Sequence, residues 1–154
     1  MTSSDSESLP ELFLDAKIVM SSDARLLAAL RSAVGNLTLE LGWSESDSRA
    51  ITLAVDEAMT NKIRHACKGR AAARIQIEFR TEPGALVFQL TDHGEPPDPE
   101  KLCARQKGSA VPGGLGTHII RDVMDEVSYV TDDAGNHLIL KKQLPHGSSP
   151  ESLP

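Results

Sequence analysis

Glu57, Asn61 and His65 follow one another at i, i+4 and i+8 in a segment whose apolar residues recur at helical spacing. At about 100° per residue, Ile51, Val55, Ala58, Met59, Ile63 and Ala66 make one apolar arc, and the three polar residues stack along its border. Thr60 and Asn61 occupy the positions three and four residues after Glu57, so its own helix gives that carboxylate no cation. A carboxylate and a carboxamide one turn apart offer hard oxygen ligands to magnesium, or a base beside it. A solvated helix flank produces the same pattern, and this segment alone does not separate the two.

Two further segments carry chemistry of a different kind. Asp92 ends an apolar run, Leu90-Thr91-Asp92-His93-Gly94. An ionised Asp only accepts hydrogen bonds, so at a sheet end it can select an exocyclic amino group such as adenine's; a strand-end Asx turn is the plainer alternative. Gly113-Gly114-Leu115-Gly116-Thr117-His118 leads glycines directly into a helix. There the backbone can approach an anion, and first-turn N–H groups with the helix dipole attract phosphate. The segment does not match G-x-x-x-x-G-K-[ST], and it lacks the preceding strand of a dinucleotide fold.

The elements that must position these residues are legible from periodicity. A strand is expected over 12–20, a helix from Asp23 to Leu41 with Ser21 or Ser22 as cap, and a second from Glu45 to Cys67 capped by Ser44. Gly42 stops the first helix, and Gly69 lies near the end of the second. Ile75, Ile77 and Phe79 alternate with polar residues, and Pro83-Gly84 turns the chain back into Leu86–Thr91 as a hairpin. A short helix over Leu115–Met124 precedes strands at Glu126–Thr131 and His137–Leu144. Helices and strands do not alternate strictly. The expected fold is therefore α+β, a two-layer sandwich of a mixed, mostly antiparallel sheet with helices on one face.

Residues 93–114 break all periodicity, and a loop of that length inside a small domain is usually functional. The chain of 154 residues reads as one domain over 11–145, with biased tails at 1–10 and 146–154. A net charge of −6 argues against binding a nucleic-acid backbone. Cys67 and Cys103 show no metal-ligand spacing, no apolar stretch reaches membrane length, and the amino terminus lacks a signal pattern. The expected setting is the cytoplasm, with no direct nucleic-acid or membrane partner.

In that order, E-x-x-x-N-x-x-x-H, then D-x-G after a strand, then G-G-L-G opening a helix resemble the GHKL ATPase superfamily over roughly residues 12–144. Within it the chain is most similar to the bacterial anti-sigma-factor serine/threonine kinases. That similarity rests on Asp92–Pro99 (D-x-G-x-P-P-D-P) and Gly113–Glu126 (G-G-L-G-x-x-I-I-x-x-x-M-D-E). The resemblance implies ATP with Mg2+ as cofactors, Asn61 as magnesium ligand and Glu57 as general base for an acceptor hydroxyl. It further implies Asp92 as adenine reader with Gly94 beside the base, phosphates lined by Gly114, Leu115, Gly116 and Thr117, and 93–114 as a lid over ATP. Thr117 and His118 depart from the Leu and the apolar residue usual at their positions. The implied protein is a homodimer that binds a sigma factor and phosphorylates a small anti-anti-sigma protein. A non-catalytic ATP-sensing module, or a histidine-kinase ATPase domain separated from its phosphoacceptor, would carry much the same motifs.

Overall fold

The computed structural model describes residues 14–66, 68, 73–96, 98, 100 and 115–145. The tails, most of the expected lid, Cys67, Cys103 and Gly114 lie outside the described residues.

Strand β1 (Asp15–Ser21) is followed by a 3-10 turn (Ala24–Leu26), helix α1 (Leu27–Glu40) and helix α2 (Glu45–Ala66). The hairpin β2 (Arg74–Glu82) and β3 (Ala85–Asp92) comes next, then helix α3 (Leu115–Val123) and the hairpin β4 (Glu126–Asp132) and β5 (Gly135–Gln143). The five strands are ordered β1-β2-β3-β5-β4, and every neighbouring pair is antiparallel. The α+β expectation holds, and the sheet contains no parallel pair among the described strands.

Alternation explains the sheet. Ile75, Ile77 and Phe79 of β2, Leu86, Phe88 and Leu90 of β3, and Leu138 and Leu140 of β5 are buried on one face. Phe79 and Phe88, directly opposed, meet edge to face with centroids 5.8 Å apart, a geometry favoured by the ring quadrupoles. The helices cover this face, adding Leu27, Leu30 and Val34 of α1, Ile51, Val55, Ala58 and Met59 of α2, and Ile120 of α3 to one core. The reverse face carries polar pairs such as Arg80 with Gln89, 3.0 Å apart.

Helix boundaries follow local chemistry. The expected serine cap is corrected: Ser21 is the last residue of β1 and pairs with Arg74, and Ser22 N donates to Ala73 O at 2.8 Å, so both serines are still tied to the β2 side. Asp23 takes the cap instead, its Oδ1 accepting from Arg25 N at 2.9 Å. At the other end Gly42 (φ 95°) donates to Leu39 O and Trp43 N donates to Thr38 O, a Schellman motif that only glycine enters without strain. Ser44 caps α2 as expected, its Oγ accepting from Asp47 N at 3.1 Å. Where α1 and α2 cross, Thr38 Oγ1 and Ser48 Oγ lie 2.6 Å apart, and Ser48 also donates to Gly35 O at 3.1 Å. No described helix is long and apolar enough to cross a membrane.

Candidate functional site

Asp92 is the last residue of β3 and faces the helices, in register with Asn136 at the start of β5. Its Oδ1 accepts from Gly94 N at 2.9 Å, so the strand-end Asx turn is present. The same oxygen accepts from Asn136 Nδ2 at 3.2 Å, and that amide also donates to Gly94 O at 3.0 Å. Thr131 Oγ1 donates to Asn136 Oδ1 at 3.1 Å, which fixes the carboxamide from the β4 side. Gly135 makes the close strand approach possible: a Cβ there would stand 2.6 Å from Asp92 O, and its φ is +130°.

From the helix layer, α2 brings Lys62 to Asp92. Its ammonium forms an ion pair with Asp92 Oδ2 and donates to Asn136 O at 2.9 Å. The Lys62 and Asp92 side chains are 11% and 4% exposed, so the pair is screened little by solvent. Five residues earlier on α2, the Glu57 carboxylate lies against the first turn of α3, where a Cβ on Gly116 would overlap Oε2. Gly116 is therefore the residue that lets the two helices meet with a carboxylate between them. The side chains of Glu57 and Asn61, both half-buried, have no hydrogen-bond partner among the described residues.

Behind Asp92, on the opposite face of the sheet, a second polar chain braces the same strands. Thr91 Oγ1 lies 2.9 Å from His137 Nδ1, and His137 Nε2 lies 3.0 Å from Asp132 Oδ1. The hydrogen bond from His137 holds the Asp132 carboxyl below the usual carboxylate range, helped by the Ala134 backbone N–H.

The model of the histidine kinase-like ATPase domain family matches residues 20–142. The chain belongs to this family. A serine/threonine-protein kinase, BtrW of Bordetella bronchiseptica, is 31% identical over 121 residues, covering 76% of this chain and 82% of the relative. The serine-protein kinase RsbW of Bacillus licheniformis is 27% identical over 128 residues, covering 75% and 78%. Among solved structures, the RsbU and RsbW domains of Rv1364c from Mycobacterium tuberculosis share the fold (TM-score 0.57, 14% identity), covering 85% of this chain and 32% of that one. A blue-light activated histidine kinase of Erythrobacter litoralis does so as well (TM-score 0.54, 21% identity, 84% and 43%). Both of those proteins are much longer than this chain.

In this histidine kinase-like ATPase domain, the three sequence segments touch one another at two places. Lys62 links the α2 segment to Asp92, and Glu57 links it to the glycine-led helix at Gly116. Leu115 opens α3, Thr117 is half-buried in its first turn, and His118, His93 and His65 are exposed. The residues that sequence reasoning missed are Lys62, Thr131 and Asn136. A signal for Lys62 existed: it sits four residues after Ala58 and three after Met59, inside the buried arc, where a cation requires a partner. Asn136 gave none, because its role depends on strand pairing with a residue 44 positions away.

Magnesium is implied by the family resemblance, and the residues present fit it. Mg2+ is usually bound through one or two protein ligands plus substrate phosphates. Asn61 offers one oxygen with no partner among the described residues, and no cluster of three or more His, Cys, Asp or Glu suited to a metal is found among them.

Proposed function

We propose that this chain is an ATP-dependent protein serine/threonine kinase acting as an anti-sigma factor, with a small anti-anti-sigma protein as its phosphoacceptor. The observation that carries the reading is Glu57: a half-buried carboxylate without a partner among the described residues, one turn from Asn61 and against the start of α3. A domain that merely bound nucleotide would have no need of a base there. The names of the relatives BtrW and RsbW, both serine or serine/threonine kinases, support the same class.

In this reading Asp92 holds the base of the nucleotide, and the first turn of α3 with Gly114, Leu115, Gly116 and Thr117 holds its phosphates. Asn61 holds magnesium, which when bound neutralises phosphate charge. Glu57 accepts the proton of a serine or threonine hydroxyl as its oxygen bonds to the γ-phosphorus. The bond from that phosphorus to the bridging oxygen breaks, and ADP leaves. The chain works as a homodimer whose surface also receives the sigma factor.

The test separates binding from chemistry. Glu57→Gln is expected to keep Mg-ATP affinity while phosphate transfer to the acceptor protein falls about 10²–10⁴-fold, the range for a lost general base. Unchanged transfer in a variant that still binds Mg-ATP would remove Glu57 from this role.

A further inference from the structure

Both carboxylate oxygens of Asp92 are engaged by this chain itself. Oδ1 accepts from Gly94 N and Asn136 Nδ2, and Oδ2 holds the Lys62 ammonium. The Asp92 side chain is 4% exposed, too little for the edge of a nucleobase to lie against it while Lys62 stays in place. Resting on the proposed reading of Asp92 as the residue that holds the base, we propose that Lys62 is an autoinhibitory latch. Its ammonium competes with the base for Oδ2, and nucleotide binds only to molecules in which Lys62 has swung off Asp92.

The partners of Asp92 differ in what their release would undo. Gly94 N belongs to the backbone of the Asx turn, and Asn136 is tied at once to Thr131 Oγ1, Gly94 O and Asp92. Freeing either would take apart the joined ends of β3 and β5. Lys62 comes from the helix layer on a flexible four-carbon stem. It also donates to Asn136 O at 2.9 Å, so an ammonium that leaves Oδ2 keeps an acceptor within reach. Among these contacts it is the one that opens without loss of the strand ends.

The closed form is favoured by charge. With both partners ionised, the Lys62–Asp92 contact outcompetes the hydrogen bond that an uncharged exocyclic amino group makes to the same carboxylate. Apparent affinity is then the intrinsic affinity reduced by the fraction of open molecules, so a latch closed in about nine molecules of ten weakens binding about tenfold. Lys62 directly follows Asn61 on α2. Release of the base site and placement of the proposed magnesium ligand therefore belong to one turn of one helix.

Calorimetric titration of the full chain with Mg-ATP and Mg-ADP, beside urea unfolding without nucleotide, tests this. Lys62→Met keeps an apolar stem and removes the charge. It is expected to bind both nucleotides about tenfold more tightly than the wild type, yet to unfold at lower urea because Asp92 loses a buried partner. Those two effects have opposite signs, which a purely structural lysine would not produce. Lys62→Arg keeps the charge and is expected to bind no more tightly than the wild type. A second readout needs no variant: in NMR spectra of the wild-type chain, the Lys62 ε-methylene and Asp92 carboxyl signals should both move as Mg-ADP saturates the protein. Signals that stay in place in a saturated sample would overturn the latch. So would a Lys62→Met chain that binds no more tightly than the wild type. Either result leaves the nucleotide reading standing. If folded wild-type and Lys62→Met chains both bind neither nucleotide, that reading falls and the latch falls with it.

Discussion

Asp92 holds the end of β3 together and, in the proposed function, also faces the nucleotide; its two oxygens have different partners. Oδ1 serves the fold through Gly94 and Asn136, while Oδ2 serves Lys62. Removing the carboxylate therefore strands a buried ammonium. Asp92→Ala is expected to weaken Mg-ATP binding about tenfold or more by calorimetry. It should also lower unfolding free energy in urea by about 3–5 kcal/mol, the range for a broken buried pair. The double variant Asp92→Ala with Lys62→Met should regain part of that stability and none of the binding. The two glycines near the site should behave differently from each other. At Gly116 the obstacle to a Cβ is the mobile end of Glu57, so Gly116→Ala should lower phosphate transfer with little change in stability. At Gly135 the obstacle is the Asp92 backbone at a φ of +130°, so Gly135→Ala should cost about 1–3 kcal/mol on chemical denaturation. Glu57, Asn61 and Asp92 were legible as single residues because their types are restrictive in chemistry. Lys62 was missed because a lysine is read by habit as solvated, although its place in the apolar arc argued otherwise.

At the level of elements, both hairpins and the three helices could be read from local signals: Pro83-Gly84 and Asp133–Gly135 at turns, Gly42 and Ser44 between helices. The insertion of β5 between β3 and β4 could not, since strand order depends on contacts with no local trace. The serine cap expected at the start of the first helical segment gives way to Asp23, which caps the 3-10 turn ahead of α1, for a related reason. Pairing with β2 carries β1 through Ser21, and only the sheet reveals this. The true cap makes its own prediction. The Arg25 side chain, then its backbone N–H, hold the Asp23 carboxyl at about 2 instead of 3.8. A depressed folded value means the contribution of Asp23 is complete above about 3.8 and is lost as pH falls through about 2. Carboxyl NMR titration should place the Asp23 midpoint near 2, and Arg25→Ala should move it upward.

For the molecule as a whole, Leu26, Leu27, Leu30, Val34, Leu37 and Leu41 form an apolar stripe along the first helical segment. The fold absorbs most of it: Leu27, Leu30, Val34 and Leu41 are buried, and of the stripe only Leu26 is exposed. A homodimer, as proposed, would therefore find little on that stripe beyond Leu26. Its apolar candidates are elsewhere, such as Val19 on the edge strand β1 and Leu39 and Leu53 on the helices. An edge strand presents unpaired backbone groups that a second copy can meet. Light scattering at high micromolar concentration is expected to give twice the monomer mass, with Val19→Lys shifting the chain to monomer. A monomer with and without nucleotide would dismiss the homodimer.

Trp43, buried in the turn between α1 and α2, is the sole tryptophan of the chain. At 1.5 Å per residue, the length of the helix from Ser44 to Lys62 puts it about 27 Å from the Lys62–Asp92 pair. Intrinsic fluorescence thus comes from one emitter at the far end of the helix that carries Glu57, Asn61 and Lys62. Its emission would follow the melting of the helical pair and stay dark to the filling of the pocket. A dye or a second indole near Asn136 would be needed to watch both ends of α2 at once.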